Sequence, residues 1–362
     1  MNQPEILIST DETTIKKQTR RIDSLDWLRG LMALSIMSYH LCFWYFFTPD
    51  ASTFIGRMGI YGVSIFFVLS GLSMAIVYNH FISSVYSGFA FLIRRIFRIW
   101  PLLGIATIAT IFISRNQPPD LATILLNLTG FFGFVPPFRN IATGAWSIGN
   151  EMVYYVLTPF ILWAYNYKKW VGNLIVLLTS CITLYFAFVQ LTPTETLVQQ
   201  WGTYIHPMNN LFLYAAGIAI YYNLREAKFN PFFNSAILIG CVLLLLFYPV
   251  SGNQILIVTG FNRIAFVLTS IGLVVGFYKF SFTIPRVVSY PLEKLGIVTY
   301  GVYILHPIVN HYVGTYFPQI EDYNHFQISC LVIAFTIIYA LILYYTLELP
   351  LMKLGKRLTS KA

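Results

Sequence analysis

Charged residues are scarce in this sequence of 362 residues. Asp, Glu, Lys and Arg together make up 10% of it, whereas soluble domains carry about 25%. Hydrophobic residues account for 57%, and the mean hydropathy is +0.67. A composition this apolar excludes a soluble globular protein. It predicts an all-α, polytopic membrane protein whose chemistry takes place within the helical bundle itself.

Cysteine is also rare in the chain. The four cysteines, Cys42, Cys181, Cys241 and Cys330, each lie inside an apolar segment and show no paired spacing. Neither a disulfide framework nor a zinc site is therefore predicted, and we expect no metal ion. The four thiols are interpreted as small core residues.

The start of the chain lacks the features of a signal peptide. Residues 1–22 are polar, contain no apolar core and end in a cluster of Lys and Arg, which predicts a cytosolic tail.

The net charge of +9 comes from short basic clusters between apolar runs. This arrangement is typical of loops that face an anionic membrane leaflet, and it argues against nucleic acid as a partner.

About ten segments are long and apolar enough to cross the roughly 30 Å of hydrocarbon in a bilayer. They lie near residues 27–47, 59–79, 99–114, 146–166, 170–190, 207–223, 233–249, 255–277, 297–317 and 327–347. The segment 121–136 is short and interrupted by Gly and Pro, and we interpret it as a half-span or re-entrant piece.

Charge sets the predicted orientation. With a cytoplasmic N-terminus and no crossing at 121–136, 18 of the 23 Lys and Arg residues face the cytoplasm. A crossing there would turn eleven of those 18 outward, against the positive-inside rule. The predicted organisation is a cytosolic tail (1–22), a transmembrane domain (23–350) and a basic cytosolic tail (351–362), with both termini in the cytoplasm.

The first predicted span carries two ionisable residues, Arg29 and His40, on one face. They are eleven residues apart, which corresponds to about 20° around a helix axis and ~16 Å along it. His40 is therefore expected toward the outer side. Ionisable groups within a span usually line a pathway or pocket, and an imidazole can act as a base or a nucleophile. A hydrogen bond to a neighbouring helix is the structural alternative.

A second cluster, Arg94, Arg95 and Arg98, closes the second loop on the predicted cytosolic side. Residues 95 and 98 are neighbours on a helix surface, and two adjacent guanidinium groups suit the oxygens of a phosphate. An ordinary basic anchor at the membrane surface explains the same residues.

The segment GAWSIGNEMVYY (144–155) begins the fourth span from the outside. Helical rise places Glu151 ~8 Å below the outer boundary, near the expected depth of His40, and it is interpreted as the only acidic residue deep in a span. A carboxylate there could orient the imidazole. An ion pair with Arg263, ~12 Å deep in the eighth span, is the competing interpretation.

Two further segments place polar side chains inside the bundle. VTYGVYILHPIV (298–309) puts Tyr300, Tyr303 and His306 on one helix face, although a tyrosine ladder that packs between helices explains them equally. SIFFVLSG (64–71) adds Ser70 and Gly71, which are also explained as small residues that allow helices to pack closely.

Together these segments resemble the acyltransferase-3 family of bacterial membrane O-acyltransferases. The matching segments, between residues 25 and 357, are LDWLRGLMALSIMSYH, GVSIFFVLSG, RRIFRIWP, WSIGNEMVYY, YGVYILHP and YYTLELPLMKLGKR. The resemblance implies a multi-pass transferase of the bacterial inner membrane. It would take an acyl group, usually acetyl, from cytosolic acyl-coenzyme A and place it on a sugar hydroxyl of an extracytoplasmic or lipid-linked glycan.

The resemblance also suggests roles for individual residues. We expect a catalytic set of His40, Glu151 and His306, a donor-binding set of Arg95, Arg98, Arg29 and Arg94, and a substrate-lining set of Trp146, Ser147, Tyr300, Tyr303, Ser70 and Arg263. The sequence departs from the family pattern at Met152, where many members have a second acidic residue, and at Gly149, where serine is frequent. Roles that need two carboxylates are not expected here.

The chemistry of transfer stays open between two mechanisms, because His40 could deprotonate the sugar hydroxyl or carry the acyl group itself.

Two other classes of protein fit part of the pattern. A secondary transporter or flippase can also have ten spans and buried charges, but it usually has two related halves, which the sequence does not show. A non-catalytic binding scaffold is the third possibility.

Overall fold

The computed structural model describes residues 22–316 and 323–360, so most of the predicted N-terminal tail and the last two residues lie outside it. The described residues form helices and no β-strand, which confirms the all-α prediction. In chain order the helices are α1 (Asp23–Tyr45), α2 (Phe54–Tyr78), α3 (Val85–Ile113), α4 (Leu121–Leu128), α5 (Trp146–Tyr167), α6 (Lys169–Tyr185), α7 (Trp201–Tyr204), α8 (Pro207–Leu224), α9 (Pro231–Phe247), α10 (Gly260–Tyr278), α11 (Arg286–Tyr316), α12 (His325–Leu343) and α13 (Leu349–Leu358).

Local sequence sets where several of these helices begin. The Thr53 side chain accepts a hydrogen bond from the Gly56 amide at the start of α2, and Asp120 caps α4 in the same way. Capping boxes begin α3 and α12, while α8 and α9 begin with a proline, whose missing N–H costs nothing in the first turn.

Five of the helices are long and apolar enough to cross a membrane. They are α2, α3, α6 with the π-helical turn that extends it to Gln190, α10, and the continuous helix His325–Leu358 that α12 and α13 form through a second π-helical turn. Each of the ten predicted segments overlaps a helix, but the count of ten spans rests on the sequence. The five helices that are long and apolar enough to cross a membrane show that the chain is a membrane protein.

The segment 121–136 forms the eight-residue helix α4 and a short 3₁₀ turn. Eight residues rise ~12 Å, which is less than half of the hydrocarbon thickness. The segment therefore does not cross the membrane as a helix. It packs against α3, and its Leu121 and Leu125 side chains remain exposed.

Helices α1 and α11 run side by side in the same direction. Residues of α1 face residues of α11 at a constant difference in number: Gly30 lies against Gly296, and His40 hydrogen-bonds to His306. In both pairs the residue numbers differ by 266. Facing residue numbers that rise together along two helices show that the helices are parallel. A Cβ atom at Gly296 would collide with the Asp26 carbonyl oxygen, so the close approach of the two helices depends on glycine.

A second close crossing joins α2 to α8. A Cβ atom at Gly71 would collide with the Tyr214 carbonyl oxygen, and one at Gly217 would collide with the carbonyl oxygen of Val68. Small residues on both helices therefore let the two backbones touch. The packing interpretation of Gly71 is confirmed, while its neighbour Ser70 faces a different helix.

We predict that Gly296→Ala destabilises the protein by about 1–3 kcal/mol, because the added methyl group meets rigid backbone rather than a flexible side chain. The measurement is the midpoint of thermal unfolding of the purified protein in detergent. Gly104→Ala is the matched control, since Gly104 is mid-helix in α3 with nothing within 4 Å of its Cβ position, and it should be neutral or slightly stabilising. Equal midpoints for the two variants would contradict the close α1–α11 contact.

Candidate active site

A cavity of about 460 Å³ lies at the centre of the bundle, between α1, α2, α3, α5 and α11. Its lining on α2 extends from Val63 to Tyr78, which is ~22 Å along the helix axis. One end holds the basic residues Arg29, Arg95 and Arg98, and the other end holds Ser147 and Tyr303. The cavity is therefore long, with its positive charge concentrated at one end.

Arg95 and Arg98 line this cavity without a carboxylate partner. Arg95 donates to the Tyr78 hydroxyl at 2.6 Å, and Arg98 donates to the Met352 sulfur at 3.7 Å. Arg95 interacts electrostatically with Glu151 and Arg98 with Glu348, but neither arginine forms an ion pair among residues 22–316 and 323–360. Two guanidinium groups that share a cavity and lack a salt bridge form a site suited to an anion.

The other two arginines of the predicted donor-binding set differ from each other. Arg29 lines the cavity, pairs with Asp26 at 2.6 Å and donates to Ser73. Arg94 lies outside the cavity, donates to the hydroxyl and carbonyl of Thr359 and stacks over Phe81. The structure thus places Arg94 as a link between α3 and the end of α13.

Glu151 faces the cavity from α5. Its Oε1 atom accepts hydrogen bonds from Ser70 and from Tyr155, the latter at 2.6 Å. The predicted competing ion pair with Arg263 is absent, because the buried Arg263 side chain donates to the carbonyl oxygens of Asn209 and Val258 instead. Arg263 is also not among the residues that line the cavity.

The expected pairing of Glu151 with His40 is wrong, because the two residues do not lie at the same depth. Ser147 on α5 hydrogen-bonds to Tyr303 on α11, which fixes one common level. Glu151 lies one turn from Ser147 toward the arginine end of the cavity, and His306 lies one turn from Tyr303 in the opposite direction. Helical rise then separates Glu151 from His306 by ~10 Å along the helix axes.

His40 pairs with His306 instead. The Nε2 atom of His306 lies 2.9 Å from the Nδ1 atom of His40, and the Nδ1 atom of His306 lies 3.1 Å from the Val302 carbonyl oxygen. A carbonyl oxygen only accepts, so the Nδ1 atom of His306 must donate. In a neutral His306 the Nε2 atom then accepts, and the Nδ1 atom of His40 donates to it.

This hydrogen-bond chain leaves the Nε2 atom of a neutral His40 without a proton. Trp44 stacks on the His40 ring at 5.4 Å between centroids, and Tyr39 contacts its edge at 5.2 Å. His306 is buried, whereas His40 keeps partial exposure. The arrangement therefore presents one basic nitrogen on an imidazole that a second imidazole orients.

Tyr303 separates the cavity from the histidine pair. Its hydroxyl donates to the Gly144 carbonyl oxygen at 2.9 Å and lies 2.9 Å from the Ser147 hydroxyl. The ring of Phe66 contacts the Tyr303 ring from the cavity side. The residues that line the cavity therefore end at Tyr303, one helical turn before His306. We call the contact of Tyr303 with Gly144 and Ser147 the Tyr303 latch.

Of the remaining substrate-lining predictions, Tyr300 lines the cavity, whereas Trp146 is not among its lining residues. Tyr300 lines the cavity and donates to the Ile99 carbonyl oxygen at 2.8 Å. Trp146 is buried one residue before Ser147 and contacts the rings of Trp201 and Tyr204. The predicted tyrosine stripe of α11 therefore faces the cavity.

Some cavity residues were missed from the sequence. Tyr155 follows Glu151 by four residues and Ser73 follows Ser70 by three, so helical spacing places each beside a residue that was identified. Glu348 is 2% exposed, and its Oε1 atom has no hydrogen-bond partner in the described part of the chain. A second buried carboxylate therefore lies on the helix His325–Leu358, where it interacts with Arg98 although it does not line the cavity.

Comparison with known proteins gives one match. A family model for acyltransferase domains, the acyltransferase-3 model, matches residues 22–345, which is nearly the whole chain. No curated protein and no solved structure matches the sequence or the fold.

We predict that Tyr155→Phe destabilises the protein by about 1.5–3 kcal/mol, because it removes a hydrogen bond to a carboxylate inside the bundle. Thermal unfolding in detergent measures the change. Tyr86→Phe is the control, since Tyr86 is 59% exposed and the same atom is removed at the surface. If both variants unfold at the same temperature, the contact between Tyr155 and Glu151 does not support the fold.

Proposed function

The chain belongs to the acyltransferase-3 family, and from this premise we propose that it transfers an acyl group from cytosolic acyl-coenzyme A to a sugar hydroxyl of a cell-surface or lipid-linked glycan. Membership makes it a membrane acyltransferase. The proposal adds the thioester donor, with acetyl as the simplest acyl group, and the glycan acceptor. The observation that carries it is the imidazole pair one turn beyond a cavity whose far end holds two arginines that form no ion pair among the residues that the structure describes.

We place the protein in the bacterial inner membrane with ten spans and both termini in the cytoplasm. The positive-inside count supports this orientation, and the ten long helices supply the spans. In this topology Arg95 and Arg98 lie toward the cytosol, while His40 and His306 lie toward the outer side. The donor and the acceptor thus approach from opposite sides of the membrane.

The cavity suits a long donor with an anionic head. The phosphates of coenzyme A would bind Arg95 and Arg98, and no ion pair within residues 22–316 and 323–360 would have to break first. Arg29 contributes further positive charge on the facing helix. The narrow arm that ends in the thioester would follow the cavity outward toward Ser147 and Tyr303.

Transfer needs a base for the sugar hydroxyl. His40 Nε2 takes the hydroxyl proton, and the alkoxide oxygen attacks the thioester carbonyl carbon. The carbon–sulfur bond then breaks, the thiolate leaves with its electron pair, and the proton passes on to the sulfur as free coenzyme A forms. His306 positions His40 through their hydrogen bond, and the hydroxyls of Ser147 and Tyr303 are the donors nearest to the developing oxyanion. The Tyr303 latch must open for the thioester to reach His40.

We predict that His40→Ala lowers turnover at least about 100-fold, because it removes the general base. Release of free thiol from acetyl-coenzyme A by the purified protein, in the presence of de-O-acetylated envelope polysaccharide, measures turnover. His311→Ala is the control, since His311 lies on α11, the helix that carries His306, but is exposed and contacts the Thr315 hydroxyl. His306→Ala should lower kcat and shift its pH profile while leaving the KM for the donor unchanged.

Two outcomes would contradict this assignment. Full turnover by His40→Ala would remove the residue from the chemistry. A stable acetyl adduct on His40, trapped by acid quench without acceptor, would replace the base mechanism with a covalent one.

We predict that Arg95→Gln and Arg98→Gln each raise the KM for acetyl-coenzyme A about tenfold, because each removes a charge-assisted hydrogen bond to phosphate. The KM for the acceptor should stay within about twofold. Arg94→Gln is the matched control, since Arg94 belongs to the same helix and the same basic cluster but lies outside the cavity. Equal losses for the donor and the acceptor, or an effect of Arg94→Gln on donor KM, would count against the phosphate site.

A further inference from the structure

A second cavity lies apart from the first, between the loop that follows α3 and the short helix α7. It measures about 490 Å³ and shares none of its lining residues with the central cavity. Its walls include Arg139 and Asn140 on one side and Trp201 and Gly202 on the other. In the proposed topology this cavity opens on the outer face of the membrane.

One wall of this outer cavity is held in place by a buried amide. Asn127 of α4 is fully buried, donates to the Arg139 carbonyl oxygen at 2.8 Å and accepts from the Ile141 amide at 2.8 Å. Both peptide groups that flank Asn140 are thereby fixed. Phe138, with φ of 57°, adopts a left-handed conformation that a phenylalanine rarely takes. The chain thus holds a costly turn to present Arg139 and Asn140.

The groups that face the outer cavity match the chemistry of a sugar ring. Trp201 is 38% exposed and offers an aromatic face on which the C–H face of a pyranose can stack. The guanidinium of Arg139 makes no hydrogen bond or ion pair within the described ranges, so its donors are available. The Asn140 amide nitrogen donates to the Ala142 carbonyl oxygen, which leaves its amide oxygen as an acceptor for a hydroxyl.

Aromatic contacts connect the outer cavity to the catalytic helix. The rings of Trp201 and Trp146 lie 5.8 Å apart, and Trp146 precedes Ser147, which hydrogen-bonds to Tyr303. The histidine pair is not among the residues that line the outer cavity. A sugar bound there is therefore assigned to a unit of the glycan next to the one that His40 deprotonates.

We propose that the outer cavity is a carbohydrate subsite that binds a sugar unit of the acceptor glycan next to the unit that is acylated. The sugar ring stacks on Trp201, and its hydroxyls bond to Arg139 and Asn140. This inference rests on the proposed function for the identity of the glycan. It makes the protein selective for oligosaccharides over single sugars.

Binding tests the subsite separately from turnover. The probe is an oligosaccharide fraction released from the de-O-acetylated envelope polysaccharide of the source cells, titrated calorimetrically into the purified full-length protein in detergent. Gly202→Leu is the decisive variant, because a Cβ at Gly202 meets nothing within 4 Å and a leucine fills the cavity without removing a contact. We expect Gly202→Leu, and independently Arg139→Gln, to weaken oligosaccharide binding about tenfold. Gly240→Leu is the control, since Gly240 of α9 is also in open space.

Each outcome decides between the proposals. Loss of oligosaccharide binding in Gly202→Leu, with no loss in Gly240→Leu, supports the subsite. Absence of oligosaccharide binding to the unmodified protein, or equal binding by all variants, overturns it. Thiol release from acetyl-coenzyme A is measured in parallel with single sugars and with oligosaccharides. If Gly202→Leu releases thiol as fast as the unmodified protein with every acceptor, the subsite is refuted and the proposed transferase is not. If the oligosaccharide binds but no thiol is released, the proposed transferase is refuted and the subsite is not.

Discussion

The parallel contact between α1 and α11 is the constraint on which the site depends. Gly30 and Gly296 allow the two backbones to touch at their inner ends, and this contact fixes which residues face each other further out. His40 and His306 each follow their glycine by ten residues, so both rings reach the same level, ~15 Å outward. A shift of one residue in either helix would rotate one ring by about 100° and break the pair.

Charge is distributed unevenly through the interior of the bundle. Arg29 is paired with Asp26, whereas Arg95 and Arg98 face the central cavity with a phenol and a thioether as their hydrogen-bond acceptors. Neither Arg95 nor Arg98 forms an ion pair in the described part of the chain, although Glu151 and Glu348 interact with them electrostatically. A guanidinium group without an ion pair inside a bundle is costly, which supports the proposal that an anionic donor binds there. Glu151 carries the opposite charge further out, where Ser70 and Tyr155 satisfy it.

Much of the fold was predictable from the sequence, because apolar segments of about 20 residues identify helices directly. His40, His306, Tyr303 and the arginines were predicted as site residues because polar groups stand out in apolar runs, whereas Ser147 was predicted from the family resemblance. Which of these side chains contact each other was not predictable from the sequence. The depth of Glu151 was counted from an assumed membrane boundary, and an error of about two turns paired it with the wrong residue. Glu348 was missed because the last span was expected to end at residue 347, while the helix continues through a π-helical turn to Leu358.

The Tyr303 latch has a consequence for the order of events in the proposed transferase. The residues that line the central cavity include Tyr303, Ser147 and Phe66 but neither residue of the histidine pair. Under the proposed function, a thioester held in the cavity is therefore kept apart from His40 until this contact opens, so the movement of Tyr303, and not the arrival of the donor, sets the moment of transfer.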